Sequence, residues 1–305
     1  MSVYSSVENN VRKTYLLMGC FLIFIILLGF AFSQYFQNPF ILYFAVGFSI
    51  IYNLIAYYFS DRIALRINKA RKANPNNSED LQIIRIVENL CIASGLPMPK
   101  VYIIEDDALN AFATGRDPKN ASVAFTRGLI KSLDKVELEG VAAHELAHIK
   151  NRDILVMTIV VALVGVIAII SDIFIRMVFF NGSGRDNKII LILAIVLAII
   201  SPIIAQIIKL AVSRKREYLA DASAALMTRY PDGLAGALEK IKNGAKLKKV
   251  NTATAHMFIA CPFGEKQDEK KNIRKGQKKG FFSKLFSTHP PIDERISILR
   301  DMNKK

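Results

Sequence analysis

Two long runs of uncharged, apolar residues near the start of the chain limit the folds that it can adopt. Residues 15–32 contain no charged side chain, and a second such run follows at residues 39–59. A helix of about 20 apolar residues crosses the roughly 30 Å hydrocarbon core of a bilayer. A cleaved signal peptide is the alternative for the first run, but this run is too long for a typical signal core. The sequence therefore predicts a membrane hairpin over residues 14–59, preceded by a polar segment of residues 1–13.

Two further apolar runs lie in the middle of the chain. Residues 154–180 and 189–210 are nearly all apolar and are joined by a short polar loop. Asp172 and Arg176 lie four residues apart near the end of the first of these runs, where an interfacial ion pair is the simplest interpretation. We therefore predict a mainly α integral membrane protein with four transmembrane helices, in which the second hairpin covers residues 154–210.

The distribution of basic residues predicts how these helices are oriented. The chain has a formal net charge of +15, and its lysines and arginines gather outside the spans, in residues 60–153 and 211–305. The positive-inside rule places such segments in the cytoplasm. Both chain termini then lie in the cytoplasm and the 181–188 loop lies outside, although the two basic residues of that loop are a contrary sign. A basic chain can also bind nucleic acid, but the sequence has no nucleic-acid motif and we expect no such partner.

The sequence His144-Glu-Leu-Ala-His148 carries the clearest sign of chemistry. Residues four apart lie on one face of a helix, so both imidazoles can bind one metal ion. Glu145 cannot easily bind the same ion, but it can take a proton from an attacking water. Two packed histidines on an amphipathic helix are the structural alternative. Since the chain has only four histidines, this spacing with a glutamate after the first rarely arises by chance.

A catalytic zinc usually takes three protein ligands, and the residues after the motif narrow the choice of the third. One large class has a third histidine six residues after the second, with a glycine between them, but this chain has Asn151 and Ile154 at those positions. Glu217 and Asp221 lie four residues apart beyond the second predicted hairpin. We expect Glu217 to bind the metal and Asp221 to accept a hydrogen bond from a ligand histidine. An ion pair between Glu217 and a neighbouring arginine is the alternative.

Two non-enzymatic functions are the main rivals of a zinc enzyme. A membrane scaffold with structural zinc would require a fourth protein ligand, often cysteine. No cysteine lies near these motifs in the sequence. A metal transporter would require ionisable residues in the middle of its membrane spans, and the apolar runs of this chain contain almost none. The sequence therefore disfavours both alternatives.

Four motifs, in this order, resemble those of the HtpX family of bacterial membrane zinc proteases, which are relatives of the eukaryotic CAAX prenyl proteases. The motifs are Asn110-Ala-Phe-Ala-Thr-Gly115, His144-Glu-Leu-Ala-His148 with Asp153, Glu217-Tyr-Leu-Ala-Asp221, and Thr288-His-Pro-Pro291 with Arg295. The resemblance covers nearly the whole chain. It implies an endopeptidase with one Zn²⁺ per chain that acts in quality control of misfolded or damaged proteins in the bacterial cytoplasmic (inner) membrane. The implied zinc ligands are His144, His148 and Glu217.

The resemblance also implies an architecture and further site residues. A gluzincin-like α+β metalloprotease domain with a small sheet would be formed in the cytoplasm by residues 60–153 and 211–305. His289 and Arg295 would stabilise the oxyanion of the reaction, and the alternative for them is an ordinary proline-rich turn before a helix. Residues 100–105 and 121–126 have the composition of strands, and an edge strand can bind an extended polypeptide by main-chain hydrogen bonds. The residues expected to bind substrate are Asn110, Ala111, Ala113, Ser122, Val123 and Ala124.

The segment before the last motif is rich in lysine. We predict a mobile loop over residues 262–285, and a sharper hypothesis places residues 275–286 on anionic lipid with phenylalanines dipping into the bilayer. His256, which precedes this segment, is interpreted as a structural or cleft-lining residue. The expected partners are therefore the lipid bilayer and polypeptide substrates.

Overall fold

The computed structural model describes residues 3–180, 214–244, 259 and 290–303. Within these ranges the chain forms nine α-helices and four strands. They are α1 (Val3–Tyr35), α2 (Phe40–Ile67), β1 (Arg71–Lys72), α3 (Ser78–Ser94), β2 (Lys100–Ile104), β3 (Ala111–Gly115), β4 (Ala121–Thr126), α4 (Arg127–Ser132), α5 (Lys135–Lys150), α6 (Asp153–Phe180), α7 (Arg214–Thr228), α8 (Pro231–Asn243) and α9 (Ile292–Met302). The fourth predicted span, the lysine-rich segment, His256 and His289 lie outside the described residues.

Helices α1 and α2 match the two predicted spans of the first hairpin. The stretches Glu8–Gln34 and Phe40–Ile67 are long and apolar enough to cross a membrane. Helix α1 takes in most of the polar segment predicted before the span, since no glycine or proline interrupts residues 3–18. Helix α6 begins close to the predicted start of the third span, and its residues Asp153–Ile167 are apolar. Residues 189–210 are not described, so the count of four spans stays a prediction.

The two apolar helices α1 and α2 pack through one buried stripe and through small residues. Leu17, Phe21 and Ile25 recur every four residues on the buried face of α1. A Cβ on Gly29 would lie 2.2 Å from the Ala45 Cβ, so this glycine permits the close approach of α1 and α2. Large apolar side chains are exposed on the outer faces of both helices, which suits contact with lipid tails.

A four-stranded mixed sheet packs against α2 and α6 through a cluster that includes Leu65, Phe112 and Val161. The strand order is β1-β2-β4-β3, in which β2 and β4 are parallel and the other two pairs are antiparallel. Strand β4 thus has a hydrogen-bonded neighbour on each side, and β3 lies at the edge. The expectation that residues 122–126 form a peptide-binding edge is therefore wrong, because the backbone groups of that strand are used within the sheet.

Helix α5, which carries the histidine motif, lies at the centre of the elements outside the membrane hairpin. A capping box fixes its start, since Asp134 accepts from the Glu137 N–H and the Glu137 side chain accepts from the Asp134 N–H. Nearly every residue from Leu138 to Ile149 is buried, and the helix contacts α3, α7, α8 and β3. Gly140 permits this packing, because a Cβ there would lie 2.6 Å from the Leu234 nitrogen of α8.

Candidate metal centre

Three side chains that were predicted as metal ligands meet at one buried point. His144 and His148 lie one turn apart on α5, and Glu217 reaches them from the first turn of α7. The two Nε2 atoms are 3.1 Å apart, and they lie 3.8 Å and 3.7 Å from the two carboxylate oxygens of Glu217. All three residues are almost fully buried. One ligand atom from each lies within 4.8 Å of the others, an arrangement that can hold a metal ion.

The spacing of these atoms fits zinc. Bonds of about 2.0–2.2 Å to a tetrahedral ion put neighbouring ligand atoms roughly 3.3–3.6 Å apart, close to the distances found here. Two imidazoles and one glutamate are also one of the known donor sets of catalytic zinc, and they leave a fourth position open for water or substrate. A buried carboxylate is stable only beside positive charge. Arg295 lies 3.6 Å from Glu217, and a metal cation would add a second positive charge.

The two histidines differ in their affinity for protons, and the surroundings explain why. Burial, with a smaller contribution from His148, lowers the pKa of His144. Burial acts in the same direction on His148 but is outweighed by its bond to Asp153 and by the charge of Glu217, which raise its pKa to about 9. His148 therefore holds a proton more tightly than His144 does, and a metal ion that binds at Nε2 of His148 would displace that proton.

Two carboxylates hold the outer nitrogens of the histidines. Asp221 Oδ1 lies 2.9 Å from His144 Nδ1, and Asp153 Oδ2 lies 3.1 Å from His148 Nδ1. A carboxylate in this place keeps the proton on Nδ1 and leaves Nε2 for the metal. The sequence predicted such a contact for Asp221, and the structure places Asp221 beside His144. Only the family motif singles out Asp153, because nothing in the local pattern shows that the start of α6 lies against the ligands.

Glu145 lies beside the ligands, where a general base is needed. Its side chain is 2% exposed, and its carboxylate accepts a hydrogen bond from the Ala113 N–H at the edge of β3. Burial raises the pKa of Glu145 to about 7, and the charge of Glu217 adds to the effect. A carboxylate with a pKa near neutrality can both take a proton and return it. The strand edge and the acid–base group therefore face the same space.

Arg295, which was predicted to stabilise an oxyanion, lies against the carboxylates around the metal centre. Its guanidinium is fully buried, and Nε and Nη2 donate to the two oxygens of Asp221 at 2.8 and 2.7 Å. Nη1 donates to the Ile259 carbonyl at 3.1 Å and lies 3.6 Å from Glu217. Each guanidinium nitrogen thus contacts a group of the protein. These contacts connect Arg295 to the carboxylates around the metal centre, and its role toward a substrate oxygen stays a prediction.

Strand β3 is the edge of the sheet that faces Glu145, and its ends are bound by other parts of the chain. The Ala111 carbonyl accepts a hydrogen bond from the Ile259 N–H at 3.2 Å. At the other end, the Gly115 N–H donates to Thr158 Oγ1 of α6, also at 3.2 Å. In the middle of the strand the Ala113 N–H already contacts Glu145, so the Ala113 carbonyl is the main-chain group that this edge can present to a substrate.

The remaining residues that were predicted to bind substrate support the sheet. Asn110 is buried, and its side-chain oxygen accepts a hydrogen bond from the Ala111 N–H at 3.1 Å. Ser122, Val123 and Ala124 are buried on the inner strand β4. Their backbones pair with β2 and β3, so these three residues lie behind the edge and do not form it.

The chain matches one protein family over a region that includes helices α5, α7 and α9 and their site residues. Residues 77–303 match the model of Peptidase family M48. A protease HtpX homolog from Tropheryma whipplei (strain TW08/27) is 44% identical, with 99% of this chain and 99% of that protein covered. One from Dictyoglomus thermophilum is 42% identical, with 99% and 95% covered. The crystal structure of S. mikatae Ste24p aligns with 97% of this chain and 66% of that chain, at 20% identity and a TM-score of 0.49.

Proposed function

Because the chain belongs to Peptidase family M48 and is therefore a metallopeptidase, we propose that it is a zinc-dependent endopeptidase with its active site on α5 and α7. The observation that carries the proposal is the buried triangle of His144, His148 and Glu217, with Glu145 directly beside it. The choice of zinc rests on the types of the ligands and on the distances between them.

The residues of the site divide the chemistry between them. Zn²⁺ held by His144, His148 and Glu217 would polarise the scissile carbonyl and lower the pKa of a water molecule. Glu145 takes a proton from this water as the water attacks the carbonyl carbon, and it later gives the proton to the leaving amine. The C–N bond breaks as the amine accepts this proton, which leaves a new carboxylate and a new amino terminus. The buried position and the near-neutral pKa of Glu145 suit both transfers.

Three charged groups hold the ligands in place. Asp221 and Asp153 orient the two imidazoles through their Nδ1 atoms. Although burial favours the neutral acid, the charge of Arg295 lowers the pKa of Asp221 and keeps it ionised. Arg295 therefore acts on the metal centre through Asp221, and it contributes to catalysis by positioning.

The edge of β3 limits how a substrate is recognised. Its two ends already bond to Ile259 and Thr158, so an extended substrate would meet the edge in the middle, at Ala113. Only a short stretch of substrate main chain would then pair with the enzyme. Recognition through main-chain groups makes few demands on side chains, which suits a protease with loose sequence preference.

The membrane helices suggest where such a protease acts. Two apolar helices support a membrane protein, and basic segments flank them in the sequence. We propose a multi-pass protein of the bacterial cytoplasmic (inner) membrane, with the active site and both termini in the cytoplasm. The proposed partners are the bilayer and misfolded or damaged membrane proteins, with no nucleic acid. The quality-control role rests on the resemblance to the HtpX family.

A single substitution tests the assignment of the base. We expect Glu145→Gln to keep Zn²⁺, because the ligands remain, and to lose at least about 10²-fold in the rate of cleavage of an unfolded protein such as casein. Zinc content and cleavage rate are measured on the same detergent-solubilised preparation. Glu139→Gln, the same change on the same helix but outside the site, is the matched control. Cleavage by Glu145→Gln at the rate of the Glu139→Gln control would contradict the assignment.

A further inference from the structure

We propose that Asn10, on the membrane helix α1, is a positioning residue for the metal centre. The residue precedes the first apolar run and belongs to none of the motifs that carry the chemistry. The inference rests on the zinc site proposed above. It gives helix α1 a part in metal binding in addition to its place in the membrane hairpin.

Asn10 lies on the buried face of α1, where polar residues are costly unless they are bonded. Asn10 is 3% exposed and Thr14 is 0% exposed, and both lie on the face that Leu17 and Phe21 continue. A buried amide that lacks hydrogen bonds costs about 1–3 kcal/mol, so its contacts determine whether it can remain there. The neighbouring Asn9 is exposed, which shows that the burial is specific to one face of the helix.

The side chain of Asn10 uses both ends of its amide. Nδ2 donates to Asp153 Oδ1 at 2.6 Å and to the Asn151 carbonyl at 3.2 Å. Oδ1 accepts a hydrogen bond from Arg216 Nη1 at 3.2 Å. The two partners determine which end of the amide is nitrogen. If Nδ2 and Oδ1 were exchanged, the amide oxygen would face the negative Asp153 carboxylate. An aspartate at this position would bring two negative charges together.

Asp153 connects this contact to a metal ligand. Asn10 holds its Oδ1, and its Oδ2 faces His148 Nδ1 at 3.1 Å. When one oxygen of a carboxylate is held, the direction of the other oxygen is restricted as well. Asn10 therefore helps to determine how Asp153 presents the imidazole of His148.

The same amide contacts the helix that carries the third ligand. Arg216, which donates to Asn10 Oδ1, directly precedes Glu217 in α7 and is buried. One residue of α1 thus contacts the carboxylate that faces His148 and the residue that precedes Glu217 in the chain. Asn10 therefore lies where α1, the junction between α5 and α6, and α7 meet.

Loss of the amide is expected to weaken metal binding. Asp153 would lose a charge-assisted hydrogen bond, and changes to residues that support metal ligands lower metal affinity by about 10–100-fold. We expect Asn10→Ala to raise the dissociation constant for Zn²⁺ about tenfold, at the lower end, because Asn10 acts through Asp153. The visible absorption of the Co²⁺-substituted protein should also change, since it reports the arrangement of the ligands.

The test uses the full chain in detergent and needs no substrate. Competition with a chromophoric chelator gives the dissociation constant for Zn²⁺. Asn9→Ala is the matched control, since it makes the same change one residue away at an exposed position. Thr14→Val removes a buried hydroxyl that donates within α1, to the Asn10 carbonyl at 3.0 Å. This variant tests whether any change on the buried face of α1 disturbs its packing and thereby Zn²⁺ binding. Both controls should bind Zn²⁺ as the wild type does.

A second variant guards against misfolding. Asn10→Asp has nearly the same size and keeps the acceptor for Arg216, but it lacks the donor to Asp153, so its Zn²⁺ affinity should fall as well. Normal Zn²⁺ binding in the folded Asn10 variants would overturn the inference. An equal loss in Thr14→Val would also overturn it, because the effect would then come from docking.

A ligand variant separates failure of this inference from failure of the proposed site. His148→Ala should lose Zn²⁺. If it does so while the Asn10 variants bind Zn²⁺ normally, the site stands and only the role of Asn10 is refuted. If His148→Ala binds Zn²⁺ as tightly as the wild type, the proposed site and the inference are both refuted.

Discussion

At the scale of single residues, Arg295 is notable because its charged guanidinium is completely buried and therefore needs partners within the protein. Asp221 balances its charge through two hydrogen bonds, and Glu217 lies close by. The planar fork of an arginine matches a carboxylate at two points, which the single ammonium of a lysine cannot do. The identity of the cation at this position therefore matters as much as its charge.

We expect Arg295→Lys to weaken Zn²⁺ binding about tenfold or more, because Asp221 loses its two-point support and His144 loses a fixed partner. Zn²⁺ affinity and kcat/KM are measured on the same protein. Arg300→Lys, on the same helix but in an exposed pair with Glu239, should bind Zn²⁺ normally. An Arg295→Lys variant with normal Zn²⁺ affinity and slow turnover would contradict the positioning role and favour oxyanion stabilisation.

The metal ligands could be predicted because the spacing of residues within a helix shows which side chains lie on the same face. His144 and His148 lie four residues apart, and so do Glu217 and Asp221. The contacts of Asn10 could not be predicted in this way. They join residues 143 and 206 positions apart in the chain, and an asparagine before a membrane span is unremarkable in its own segment.

At the scale of elements, one buried carboxylate joins β1, α3 and α4. Asp80 accepts hydrogen bonds from Arg71 at 2.7 Å and from the Asn74 N–H at 2.9 Å. It also lies 2.9 Å from Arg127. Although burial by itself favours the neutral acid, these donors lower the pKa of Asp80. The ionised carboxylate is therefore the form that stabilises the fold.

We expect Asp80→Asn to lower the free energy of unfolding by about 1.5–3 kcal/mol at pH 7, the typical worth of hydrogen bonds to a charged group. A carboxyl group whose pKa is lowered on folding stabilises the protein above its unfolded pKa of about 3.9. This contribution is lost as the pH falls through the folded pKa. The deficit of the variant should therefore shrink below about pH 4.

Denaturant unfolding in detergent at neutral and acidic pH checks this expectation. Glu88→Gln removes the charge of an exposed pair with Arg85 and should change the stability by less than about 0.5 kcal/mol. An Asp80→Asn variant as stable as Glu88→Gln at pH 7, or a deficit that does not change with pH, would contradict the role given to Asp80.

The strands could be predicted from composition, but their order in the sheet could not. Residues 100–104 and 121–126 form strands β2 and β4, close to the predicted ranges. Strand β4 pairs in parallel with β2, and β3 then adds to its other side. Whether a strand lies inside a sheet or at its edge depends on these long-range pairings, which composition does not report.

At the scale of the whole molecule, the apolar hairpin of α1 and α2 and the candidate metal centre form one structure. Helix α2 packs on the sheet through a shared apolar cluster, and α6 holds the end of the edge strand through Thr158. Hydropathy and charge divide the sequence into spans and polar segments, and so they could not predict these contacts. What they do predict is the side of the membrane on which each segment lies, and that stays a prediction.

We expect a reporter fused after Lys305, or inserted near residue 120, to behave as cytoplasmic, and one inserted in residues 181–188 to behave as external. The site near residue 120 is suitable because Lys119 and Asn120 are exposed in a short turn. Reporter activity in cells, compared with an unfused control, gives the result. The four-span arrangement would be contradicted if the insertions near residues 120 and 184 lay on the same side.

The metal centre joins parts of the chain that the ribosome makes at different times. Glu145 and both histidine ligands are synthesised before α6, and Glu217 follows about 70 residues after His148. At roughly 5–20 residues per second, several seconds separate these two events. During that interval the nascent chain carries a base and two ligands without the third, and Arg216 has not yet reached Asn10. Until α7 has returned to α5, the growing chain therefore lacks one of the three proposed metal ligands, and we expect no proteolysis before that point.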